Sequence, residues 1–316
     1  MEYYRVSAMM KSTRYSFLFA GAMFVAACAL GAELGQETAA GFGGFHSSEL
    51  SALSDRHTSR MGAVALKMPS VTWVHGESDH FHFHFERGFL CQQFAIAAEL
   101  FYGRIKEHLG IVEDSYERKG RIFVFIGTNS WEKFSSQVKL EKWTGAFQSE
   151  NELFVTARAN QTLDLSPEIP HEITHLVVKR FVGDVPLWLN EGIAEFEGAR
   201  QRTLYLRTHV ATKRFVIPPN YLPREQIIPL TDLTGMVDYP EDETKVEIFY
   251  TESELLVHYL YVECGGQERF LKFVKLQSQG LKFASSLDRI YGEKFRDLET
   301  FEESFAKYAA SKTKSR

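Results

Sequence analysis

The chain has 316 residues and 44% hydrophobic content, enough apolar material for one large domain or two lobes with a sizeable core. Its formal net charge of −5 lacks the basic excess of a nucleic-acid binder, so nucleic acid is not an expected partner. Aromatic content is high, with 26 Phe, which reads as core packing.

Residues 1–32 read as a targeting segment. Arg5, Lys11 and Arg14 precede an apolar run from Phe17 to Gly31, the order of a basic n-region and an h-region, and the run is short for a transmembrane helix. Small-residue cleavage sites occur at Ala27-Cys28-Ala29 and at Leu30-Gly31-Ala32. Val25-Ala26-Ala27-Cys28 also resembles a bacterial lipobox, in which Cys28 would carry lipid. An uncleaved membrane anchor is the third reading. All three place the body outside the cytoplasm, either secreted or in the cell envelope (periplasmic), with lipidated Cys28 or the uncleaved segment as a membrane tether. Cys91 and Cys264 are the remaining cysteines; they either pair or stay as buried thiols, and no Cys/His cluster surrounds them.

Residues 33–68 are rich in Gly, Ala and Ser and read as a flexible tether, with the folded domain over 69–311. His80-Phe81-His82-Phe83-His84-Phe85 alternates as a half-buried strand does, so the histidines are expected on its solvent face. Successive imidazoles on such a face lie about 7 Å apart, a poor fit to one ion. A helix is expected over 89–109, a buried strand over 121–126, a short helix over 130–137, and strands over 143–147 and 151–156, one of them an edge strand. Ser166, Pro167 and Glu168 form a helix start. The helix they open ends at Gly183, and a second runs from Leu187 to Glu197. Five prolines between 200 and 245 predict a loop-rich stretch. Helices follow over 249–262, 267–277 and in 283–310. The fold class is therefore α+β: an N-terminal mixed sheet with helices, then a mostly helical C-terminal lobe.

The helix after Pro170 carries His171-Glu172-Ile173-Thr174-His175, an H-E-x-x-H pattern. Residues four apart share a helix face, so His171 and His175 can reach one metal ion, with Glu172 beside them to work on a water molecule. A third ligand is needed. Asp184, Glu191, Glu195 and Glu197 lie downstream; Glu191 is favoured, Asp184 reads as a cap for the second helix, and Glu195 can orient a ligand histidine.

His171-Glu-Ile-Thr-His175 followed by Trp188-Leu-Asn-Glu-Gly-Ile-Ala-Glu-Phe196 resembles the gluzincin zinc metallopeptidases, above all the peptidase MA-like bacterial domains. The resemblance extends from about Trp73 to Tyr308. It implies Zn2+ held by His171, His175 and Glu191, Glu172 as general base, and a peptide or protein substrate. By family position it also implies Tyr250 as oxyanion donor, with His258 as the alternative. Gly145-Ala146-Phe147-Gln148-Ser149 stands where zinc aminopeptidases carry a glutamate for the substrate amine, which argues against an aminopeptidase and for an endopeptidase. Two other readings stay open: an envelope binding or structural protein that has kept the fold without the catalysis, and a hydrolase of non-peptide amides.

Overall fold

The computed structural model describes residues 44–113, 117–140, 145–157, 168–209 and 220–311. The targeting segment and the Ser166-Pro167 helix start lie outside the described residues. The chain is α+β, with six strands in one mixed sheet and ten α-helices among the described residues. Its internal contacts divide it into two compact units, one holding residues 44–103, 117–176 and 208–209, the other 104–113, 177–207 and 220–311.

The first unit contains the sheet. Its strands are β1 (His46–Ser48), β2 (Val74–Glu77), β3 (Phe81–Phe85), β4 (Gly120–Ile126), β5 (Ala146–Ser149) and β6 (Glu152–Ala157), in the order β1-β2-β3-β4-β6-β5. The pairs β3/β4 and β4/β6 are parallel and the rest antiparallel. Parallel central strands are covered on both faces, and the unbroken run Arg121-Ile-Phe-Val-Phe-Ile126 is buried throughout, as that position requires. One face packs α1 (Arg60–Leu66) and α3 (Thr128–Val138): Met61, Ala65, Met68, Trp131 and Phe134 meet Phe123, Phe125, Phe147 and Phe154. On the other face, Phe83 and Phe85 meet Phe94 of α2 (Cys91–His108) edge-on.

Two expectations are corrected here. Residues 33–68 are not a tether throughout, because β1 and α1 lie within them and α1 enters the core. The histidine face of β3 is also not solvent-facing: His82 and His84 are buried. The cause of both is the same, for the segment before β2 covers that face. Ser54 Oγ lies 2.8 Å from His82 Nε2, and Arg121 Nη2 donates to the Asp55 carbonyl at 2.7 Å. Thr58 Oγ1, Ser59 N and Ser59 Oγ all donate to Glu152 at 2.7, 2.8 and 2.5 Å.

Arg121 Nη1 also contacts His84 Nε2 at 2.7 Å. A guanidinium only donates, so that nitrogen accepts and His84 is neutral, with its proton on the Nδ1 that faces His75 Nδ1 at 2.7 Å. Burial, then Arg121, holds His84 well below the usual histidine range and lowers His82 to about 4.

The second unit is helical. It contains α5 (Leu187–His209) as far as Arg207, α6 (Leu230–Gly235), α7 (Glu243–His258), α8 (Gly266–Ser278), α9 (Phe283–Tyr291) and α10 (Leu298–Ser311). Trp188 packs edge-on against Phe273 and Phe283, and Phe301 joins Phe283 and Phe295. The second metal-motif helix runs to His209 rather than stopping at Glu197, and α6 interrupts the stretch expected to be loop. Past α7 the helix widens into a π turn over Tyr259–Glu263.

Cys91 and Cys264 are buried free thiols, each pushed up to about 11 by burial. Among the described residues, no helix is long and apolar enough to cross a membrane.

Candidate metal centre

The helix α4 (Glu168–Phe181) carries the H-E-x-x-H motif. Pro170 falls in its first turn, where a missing N–H breaks no helical bond. Thr174 Oγ1 donates back to the Pro170 carbonyl at 2.7 Å, using the motif's variable position to tie down the turn that holds His171. Ile169, Ile173, Leu176, Val177 and Val178 are buried and fix the helix by their apolar faces. Its end is set by Gly183, whose φ of +98° lies in the left-handed region that favours glycine.

Helix α5 begins just beyond Pro186 and buries Trp188, Leu189, Ile193 and Ala194. Glu191 sits in its second turn and is fully buried. The next residue, Gly192, is pressed against α7: a Cβ there would lie 2.4 Å from the Ser253 carbonyl oxygen. That close approach brings α7, and with it Tyr250, alongside the turn of α5 that carries Glu191.

His171, Glu172, His175 and Glu191 are all buried. His171 Nε2 and His175 Nε2 face one another at 3.0 Å, with their rings 82° apart. One ligand atom each from His171, His175 and Glu191 lies within 4.8 Å of the other two, and among the described residues no other such group of His, Cys, Asp or Glu occurs. The donor set fits zinc. Two nitrogens bound tetrahedrally at about 2.0–2.1 Å lie about 3.3 Å apart, close to the spacing here. Two imidazoles and a carboxylate leave one of four positions open, as catalytic rather than structural sites do.

Glu191 Oε1 accepts a hydrogen bond from the Tyr239 hydroxyl at 2.7 Å. Tyr239 lies between α6 and α7, and its ring stacks on Tyr250 at 6.0 Å and meets Phe249 edge-on at 5.9 Å. Burial, then the negative charge of Glu191, holds the Tyr250 phenol well above its ordinary range; Tyr239 and Glu195 act in the same direction. Tyr250 therefore stays protonated, the state in which a phenol can donate.

The other sequence candidates fall elsewhere. Asp184 is exposed and ion-paired with Lys179, not serving as a cap. Glu197 is buried but engaged with His108 Nδ1 and, at 3.0 Å, with Gln201 Nε2. His258, the alternative oxyanion donor, is bonded through Nδ1 to the Tyr308 hydroxyl at 2.5 Å. Glu195 is partly buried, and its charge is felt at the Tyr250 phenol.

Sequence reading missed Tyr239 and His108. Tyr239 lies 48 residues from Glu191 in a stretch without periodicity, and His108 lies 89 residues from Glu197. Nothing local marks either pairing.

The described fold and centre define an α+β protein with a buried His-His-Glu cluster. No protein-family model and no curated protein matches the chain. Among solved structures, native leukotriene A4 hydrolase from Saccharomyces cerevisiae aligns over 73% of this chain at 14% identity, with a TM-score of 0.42. The alignment spans only 37% of that protein's length.

Proposed function

We propose that this protein is an extracytoplasmic zinc metallopeptidase of the gluzincin type, an endopeptidase acting on peptide or protein substrates. The observation that carries the reading is the convergence of buried His171, His175 and Glu191 donor atoms within 4.8 Å, on the helix pair that also carries Glu172. A buried cluster of this kind, with one acidic residue next to a ligand histidine, has the parts for amide hydrolysis.

Zinc, when bound, supplies Lewis acidity: it polarises the carbonyl and lowers the pKa of water towards about 7. His171, His175 and Glu191 would hold the ion. Glu172 accepts the proton from the attacking water and passes it to the leaving amine. The protonated Tyr250 phenol donates to the oxygen that gains charge as the carbonyl becomes tetrahedral. Strand β5 ends the sheet among the described residues, and its outer edge can hold an extended peptide by strand addition. Where zinc aminopeptidases have the amine-gripping glutamate, Gln148 and Ser149 stand on β5, which supports internal rather than terminal cleavage.

The test measures bound metal and cleavage of a denatured protein mixture for the wild type and for Glu172→Gln. The proposal requires about one zinc per chain in both, and cleavage in the wild type alone. Zinc without cleavage of any peptide library would make the protein a binding module instead. Mass spectrometry of the mature N-terminus tests export and tethering: a lipidated Cys28, a processed chain and an intact leader differ in mass.

A further inference from the structure

We infer that Tyr239 is a positioning residue for the metal centre, fixing the third ligand through its hydroxyl. The inference rests on the zinc reading above and assigns a role to a residue outside the H-E-x-x-H and Glu191 motifs. A glutamate carboxylate turns about its last side-chain bond over a broad, roughly two-fold range. As a metal ligand it is useful only when that turn is arrested. Glu191 is fully buried, so water cannot orient it, and the Tyr239 hydroxyl bonds one of its oxygens at 2.7 Å. A charge-assisted bond of that length fixes the carboxylate plane.

Tyr239 is itself held. Its ring stacks on Tyr250 and abuts Phe249, both on α7, and its hydroxyl shares a hydrogen bond with Tyr250. The two tyrosines therefore divide the work. Tyr239 faces the ligand, while Tyr250, the next hydroxyl along, is assigned to the substrate oxygen. Residues 236–242, which join α6 and α7, thereby become part of the metal centre, although they contribute no ligand.

The test uses the full chain and zinc alone, with the dissociation constant read by competition with a chromophoric chelator. Wild type, Tyr239→Phe and Tyr239→Ala are compared, and the visible spectrum of each cobalt-loaded protein is recorded. Positioning predicts a 10- to 100-fold weaker zinc affinity in Tyr239→Phe, altered cobalt band intensities, and an unchanged melting temperature of the metal-free protein. Because the hydroxyl carries the effect, Tyr239→Ala should be no more than about threefold worse than Tyr239→Phe. Zinc affinity within twofold of wild type in Tyr239→Phe overturns the inference, whatever happens to turnover. So does a loss confined to Tyr239→Ala, which would make the ring a packing element. A wild-type chain that takes up no zinc overturns the metallopeptidase reading itself, and this inference with it.

Discussion

Substituting alanine for Gly192 tests whether close packing of α5 on α7 is what places Glu191. The new Cβ would sit 2.4 Å from the Ser253 carbonyl oxygen and 2.8 Å from Val257 Cγ2, where ordinary contacts begin at 3.4 Å. Ser253 O is backbone and cannot rotate aside, so the helices must part locally by about 1 Å. Overpacking of this kind costs about 3 kcal/mol at the upper end of its range, and alanine returns about 1 kcal/mol of helix propensity. The net loss is about 2 kcal/mol, or roughly 3–4 °C in melting temperature for a chain of this size. Glu191 precedes Gly192, so the same shift pulls a ligand from a bond whose length is set near 2.0–2.2 Å. Differential scanning calorimetry of the metal-free protein and zinc competition should report both losses together. An unchanged melting temperature with zinc affinity within twofold of wild type would refute this account of the centre.

Three further outcomes follow from buried charge. His82 titrates at about 4 when folded against 6.5 for the free group, so the unfolded chain takes up the proton first as pH falls. Its contribution is full above pH 6.5 and is lost on descending towards 4, on the order of 3 kcal/mol, and urea midpoints at pH 7 and pH 5 should differ less in His82→Gln than in wild type. Glu252 has the opposite sign: burial raises it to about 8, although Ile228 N donates to it at 2.8 Å. Its contribution is full below pH 4.5 and fades as pH rises through 8, so Glu252→Gln should flatten the alkaline loss of stability seen in denaturant titrations. His108→Leu strips a principal partner from buried Glu197 and should destabilise the protein by about 3 kcal/mol in the same assay, whereas the double variant with Glu197→Met should recover much of that loss.

The helices and strands with strong local signals were legible in the sequence. α2 ends at His108, one residue before the expected end, with Gly110 in the left-handed region just beyond, and β4 and α3 fall where the apolar spacing puts them. The four-residue spacing of His171 and His175, and the short turn to α5, are also local facts. What stayed hidden depends on partners distant in the chain. The alternation of β3 states that its faces differ, but not that Arg121 and the segment around Asp55 cover the polar one. The Gly-, Ala- and Ser-rich composition before Met68 suited a tether, because α1 is short and its docking relies on Glu152, 93 residues away from Ser59. Tyr239 lacked any periodic context, so only the folded chain shows that it meets Glu191.

That distance between Ser59 and Glu152 has a consequence for biosynthesis. The three hydrogen bonds that seat residues 58–59 converge on a side chain of β6, and Arg121 of β4 holds Asp55. The Arg121 bond must wait for residue 121, and the three to Glu152 cannot form until residue 152 has been synthesised and β6 has joined the sheet. A segment made early is therefore among the last to settle. During that interval the histidines and Arg121 beneath it face water, and a chaperone or a protease has access to a surface that the finished protein closes.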